Sequence, residues 1–158
     1  MKSCLIIITL CLAGAGWLKA QQVQAISVDE LNTRISVKND SVYIVNFWAT
    51  WCKPCVKELP NFHRLEKVYK NDKLKVLLVS LDFPAEIDKT LIPFMKKTAL
   101  TNTFFISDKN QQEYIGKIES QWSGSIPVTL FIKNTKRHFV EETLTYKELS
   151  RYYKTIQQ

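Results

Sequence analysis

Asn46-Phe47-Trp48-Ala49-Thr50-Trp51-Cys52-Lys53-Pro54-Cys55 is the stretch on which the fold turns. Its first half closes a continuous apolar run over residues 42–49, the composition of a central strand buried on both faces. Its second half opens residues 53–70, whose pattern predicts a helix. Cys52 therefore falls at a helix start, where unpaired N–H groups carry about half a positive charge. A thiolate is stabilised there, so Cys52 is expected to be more acidic than a free thiol, with Lys53 adding a positive neighbour. Cys55 follows three residues on, on the same helical face and within disulfide reach. Pro54 is tolerated because a first helical turn has no intrahelical donor to lose. The expected roles are Cys52 as attacking nucleophile and Cys55 as the thiol that resolves a mixed disulfide.

Outward from this point, residues 75–81 read as a second buried strand and residues 28–37 as a loosely patterned helix. Residues 86–98 read as a helix in which Pro93 sits awkwardly. A short strand at 103–106 and a short helix at 111–117 follow. Residues 128–133 and 138–142 form an expected hairpin around Asn134-Thr135, and 145–156 a closing amphipathic helix. This order predicts an α/β domain: a central mixed β-sheet flanked by helices on both faces. The chain has 158 residues, 46% hydrophobic and 23% charged, enough for one core without metals or multiple staples.

Residues 1–20 stand apart as a secretory signal peptide, leaving residues 21–158 as the domain. Lys2 gives the positive start, and residues 3–18 are uncharged and mostly apolar. Cleavage fits after Ala15 or Ala20, and Leu10 before Cys11 argues against lipidation. The apolar stretch falls short of the ~20 residues that span a bilayer, so no membrane span is expected in the mature form. An uncleaved anchor is the alternative. Export to the periplasm or cell envelope is the expected localisation. Cleavage also removes Cys4 and Cys11, leaving only Cys52 and Cys55. So short a loop stabilises weakly as a staple, which favours redox chemistry. The net charge of +7 is spread along the chain, and no basic stripe with interleaved aromatics suggests a nucleic-acid partner.

The string from Val45 to Cys55 resembles the active-site signature of the thioredoxin superfamily, and within it the exported TlpA/ResA-type reductases. The resemblance runs from about residue 41 to the C-terminus. Glu58-Leu59-Pro60 resembles the Glu-x-Pro of that branch, with Pro60 at the proline that kinks the active-site helix. Trp122-Ser123-Gly124-Ser125-Ile126-Pro127-Val128-Thr129 resembles the second signature, whose proline is cis and faces the cysteine pair. Residues 82–121 stand where the branch carries an insertion. The resemblance implies the thioredoxin fold and a cis Ile126–Pro127 bond. It also implies a client groove formed by Trp51, Lys53, Pro54, Ile126 and Pro127, with the Ile126 backbone free to pair an extended segment. Trp48 is expected in the core, and Trp122 either in the groove or packed. Asn46 stands where thioredoxin has a buried acid, and an amide cannot shuttle a proton. The acid–base role then passes to Glu58, one turn from Cys55; the alternative is an exposed helix acid.

The implied activity is reduction of disulfides in exported client proteins, by a monomer without cofactor, fed by an upstream thiol–disulfide electron donor. Cytochrome c maturation is the best-known task of the branch. An oxidase or isomerase would use the same cysteine pair, the direction being set by reduction potential and partner. A thiol-based metallochaperone for a soft metal would want a nearby histidine or methionine, and Met95 is the only methionine after Met1. No metal site is expected: zinc needs four ligands, and His63 and His138 lack the spacing. A peroxiredoxin pattern would need proline and a hydroxyl residue where Val45 and Ala49 stand.

Overall fold

The computed structural model describes residues 23–108 and 110–158. The expected signal peptide, residues 1–20, and the expected domain start at residue 21 lie outside them.

Among the described residues, six strands form one mixed sheet. They are β1 (Gln24–Ile26), β2 (Val42–Trp48), β3 (Leu74–Ser80), β4 (Thr103–Ile106), β5 (Val128–Lys133) and β6 (Lys136–Val140), in the order β1-β4-β3-β2-β5-β6. The first four run parallel, while β5 is antiparallel to β2 and β6 to β5. Five α-helices of the described residues cover it: α1 (Val28–Ile35), α2 (Lys53–Val68), α3 (Ile92–Thr98), α4 (Gln111–Ile118) and α5 (Tyr146–Gln157). Every residue of β2 is buried, as expected of a central strand whose run is apolar but for Asn46.

Side-chain alternation along β2 assigns two cores. Ile44 and Trp48 face one side with Leu59, Phe62 and Leu65 of α2 and Leu149 and Tyr153 of α5. Tyr43, Val45 and Phe47 face the other with Val28 and Leu31 of α1 and Tyr114 of α4. Each such fully buried side chain contributes about 1.5–3 kcal/mol of hydrophobic stabilisation. Asn46, two residues from both Ile44 and Trp48, is thereby turned toward α2, and this parity puts a buried amide under the active-site helix. Capping boxes start α1 (Ser27 with Glu30) and α5 (Thr145 with Glu148), each satisfying two otherwise orphaned N–H groups.

Three expectations change. The helix read over 86–98 is instead a 3-10 turn (Pro84–Glu86), a π turn (Ile87–Leu91) and α3. Pro93 has no N–H for the carbonyl of Lys89 and its ring crowds that oxygen, so the backbone widens just ahead of it. The second hairpin strand is Lys136–Val140, not 138–142. Lys136 pairs with Lys133 across the two-residue turn, where Asn134 takes a positive φ of 55° that asparagine tolerates. The first helix stops at Ile35, leaving Val37 exposed, and β1 ahead of it was absent from the sequence reading.

Candidate active site

Cys52 and Cys55 form a disulfide at the N-terminus of α2, their Cα atoms 5.3 Å apart. The turn before it is closed by the Cys52 N–H donating to the Ala49 carbonyl at 3.1 Å. Cys52 is the N-cap of α2, and its Sγ accepts from the Cys55 N–H at 3.3 Å. The sulfur is thus held in the field of the helix N-terminus, where a negative charge is favoured. Cys52 is 6% exposed, whereas Cys55 is fully buried. Around the rim, Trp51 is 59% exposed, and Lys53 and Pro54 are also exposed.

Behind the pair lies a buried polar cluster. Glu58 is 1% exposed, on the inner face of α2 that also carries Cys55, Leu59 and Phe62. Its Oε1 accepts from the Asn46 amide at 2.8 Å and its Oε2 from the Leu144 N–H at 2.7 Å. Burial pushes its carboxyl up to about 7, against the lowering effect of those two donors. Asn46 Nδ2 also lies 3.0 Å from Thr129 Oγ1 and 3.4 Å from the Val128 carbonyl, while its Oδ1 has no partner. The exposed-acid alternative for Glu58 is excluded.

The second signature arrives from β5. The Ile126–Pro127 peptide bond is cis, and Cys52 Sγ is 3.8 Å from the Ile126 carbonyl oxygen. Ile126 is half-buried and Pro127 buried. Trp122 packs: it is buried against Phe47, with ring centroids 5.0 Å apart, and its Nε1 donates to the Ser125 carbonyl at 2.7 Å. A cleft of about 340 Å³ opens beside Trp51 and Ile126, bordered by Phe83, Tyr114 and Gly124. Among the described residues, no group of three or more His, Cys, Asp or Glu is placed to hold a metal ion.

A family model described as AhpC/TSA matches residues 18–137. The chain belongs to the AhpC/TSA family. Within it, the chain resembles the thiol-disulfide oxidoreductase ResA of Oceanobacillus iheyensis, 31% identical over 82% of this chain and 64% of that protein. ResA of Geobacillus kaustophilus is 28% identical over 78% of this chain and 67% of that protein. The thioredoxin-like protein YneN of Bacillus subtilis is 34% identical over 60% and 56% respectively. The chain thus spans between 56% and 67% of the length of these relatives. Among solved structures, a thioredoxin family protein from Chlorobium tepidum TLS superposes with a TM-score of 0.64 at 18% identity, covering 84% of this chain and 91% of that one. A thioredoxin-related protein from Neisseria meningitidis serogroup B gives 0.61 at 26%, covering 77% and 87%. The fold is the thioredoxin fold, as the resemblance implied.

Within this member of the family, two residues at the site escaped the sequence reading. Asp82, buried two residues past β3, accepts from the Thr50 N–H at 3.0 Å and from the Ser80 hydroxyl at 2.7 Å. It thereby ties the loop before Cys52 to the neighbouring strand. Phe83, 65% exposed, lines the same cleft as Trp51. The available signal was position: both directly follow a buried parallel strand, and in open α/β sheets binding groups gather beyond the carboxyl ends of strands.

Proposed function

We propose that this chain is a thiol–disulfide oxidoreductase that reduces disulfides in exported client proteins. The observation that carries it is the Cys52–Cys55 disulfide at the start of α2, with Cys52 Sγ beside the Ile126 carbonyl. In the reduced protein, the Cys52 thiolate attacks a client disulfide sulfur. A Cys52–client disulfide forms and one client thiolate leaves. Cys55 then gives up its proton and its sulfur attacks Cys52 Sγ, which breaks the mixed disulfide. The second client thiol is released, and the two electrons gained by the client leave the Cys52–Cys55 disulfide behind. A dithiol donor upstream returns the pair to its reduced state.

Cys52 is the nucleophile in this scheme because its sulfur sits at the rim and at the helix N-terminus, whereas Cys55 is sealed beneath it. Glu58 receives the Cys55 proton: it lies one turn away on the same buried face, and a carboxyl near 7 exchanges protons readily at neutral pH. Pro127 closes the site beside Cys52. The backbone of Ile126 pairs with an extended client segment, and Trp51, Lys53 and Pro54 form the opposite lip. Residues 1–20 act as the export signal, residues 21–158 as the working domain, and the periplasm or cell envelope as its location. No helix among the described residues is long and apolar enough to cross a membrane.

The test is trapping. Cys55→Ala, reduced and offered a disulfide-bonded polypeptide such as insulin, is expected to accumulate a mixed disulfide through Cys52. Absence of any adduct would overturn the proposed chemistry.

A further inference from the structure

We propose that Glu141 is a positioning residue for client docking, whose carboxylate fixes the Ser123–Gly124–Ser125 turn so that the Ile126 backbone stays aligned beside Cys52. The inference rests on the client-reducing role proposed above.

Glu141 directly follows β6, outside both cysteine signatures. Its carboxylate accepts from the Ser123 N–H at 3.3 Å and the Ser125 N–H at 3.2 Å, and also from the Ser123 hydroxyl. One carboxylate therefore gathers three donors from both sides of Gly124. Gly124 has φ +93°, a conformation that favours glycine, and a Cβ there would meet Ile115 Cδ1 at 3.3 Å. Ser123 and Ser125 are exposed between the buried Trp122 and Pro127, and hydrogen bonds hold this turn, among them the Ser125 N–H to the Ser123 hydroxyl at 3.3 Å. Trp122 supplies one more, from Nε1 to the Ser125 carbonyl. Bonds to an ionised carboxylate are the stronger kind.

The next residue is Ile126, whose carbonyl lies 3.8 Å from Cys52 Sγ. A client strand that pairs there needs an edge already in place, because ordering the turn on binding subtracts from affinity. A small disulfide reagent needs no such edge. Glu141 is thus expected to act on client affinity and not on the thiol chemistry.

The experiment compares the parent, Glu141→Ala and Glu141→Gln in reducing two substrates, the polypeptide in turnover with dithiothreitol and the small reagent by the pre-reduced protein freed of dithiothreitol, which would reduce that reagent directly. One is insulin, a disulfide-bonded polypeptide; the other is 5,5′-dithiobis(2-nitrobenzoic acid). For Glu141→Ala, KM for insulin is expected to rise about tenfold with kcat little changed. The rate with the small reagent and the Cys52 thiol pKa should match the parent. Glu141→Gln keeps one acceptor oxygen and should fall between. Amide exchange at Ser123 should be at least about tenfold faster in Glu141→Ala, while the Ser125 N–H keeps the Ser123 hydroxyl as an acceptor. An unchanged KM or unchanged exchange overturns the inference. Equal losses on both substrates also overturn it, because Glu141 would then support the fold generally. A parent that reduces neither substrate refutes the client-reducing role itself, and Glu141 falls with it.

Discussion

The side-chain amide of Asn46 donates to Oε1 of Glu58 across 2.8 Å, deep between β2 and α2. A buried carboxyl is thus held by a neutral amide, one helical turn from Cys55, with its other oxygen on the Leu144 N–H. Two hydrogen bonds do not offset the lost hydration, and the carboxyl rises from 4.5 to about 7.

That shift has a stability consequence with a definite sign. A raised acid binds a proton more tightly in the folded chain, so its favourable contribution is full below pH 4.5 and is lost as pH rises through about 7. A shift of this size corresponds to about 3 kcal/mol. Urea unfolding should show the parent less stable at pH 8 than at pH 5 by an amount of that order, with Glu58→Gln losing far less over the same interval. Equal pH dependence in the two proteins would show that Glu58 is not the titrating group.

Glu58→Gln also removes the base proposed for Cys55. Disulfide exchange at neutral pH should slow by about 10²-fold while the chain remains folded. Stopped-flow tryptophan fluorescence with a disulfide client checks this. A rate equal to the parent would mean that the Cys55 proton leaves through water.

Asp82→Ala should act through the loop before Cys52. It strips the acceptor from the Thr50 N–H, the Thr50 hydroxyl and the Ser80 hydroxyl. Leaving such donors unmatched in a buried setting costs about 1–3 kcal/mol each at most, so a total loss near 2–4 kcal/mol is expected by urea unfolding. A loss below about 0.5 kcal/mol, the level of an ordinary surface change, would show the cluster to be dispensable.

Trp51→Ala and Phe83→Ala should separate recognition from folding. Both rings are largely exposed, so stability should stay within about 0.5 kcal/mol of the parent. KM for a polypeptide disulfide should rise in each, since aromatic walls of a binding cleft carry much of its affinity. An unchanged KM in both variants would remove the cleft from the client path.

What the sequence made legible was local or already a signature. Cys52 and Cys55 could be placed because strand end, helix start and their spacing lie within ten residues, and β2 because seven consecutive buried residues have one natural home. The three-residue offset to Cys55 put Glu58 on the same helical face but left an exposed acid open, until its carboxylate was found on Asn46 and the Leu144 N–H. What stayed hidden depends on contacts between distant segments. β1 is three residues long and is defined by its pairing with β4. Asp82 reaches Thr50, thirty-two residues earlier, and Glu141 reaches back to Ser123 and Ser125. Trp122 could be read as groove or core until Phe47 was found against it.

The reduction potential of the Cys52–Cys55 pair tests the central claim most directly. The helix N-terminus stabilises a Cys52 thiolate, but Cys55 is fully buried with Glu58 behind it, and both disfavour a Cys55 thiolate relative to the uncharged disulfide. That lowers the potential. Equilibration with glutathione or dithiothreitol buffers should give a value close to or below the thioredoxin value of about −270 mV, as a reductase requires. A value near the about −120 mV of the strong oxidase DsbA would contradict it and make the chain a disulfide donor instead.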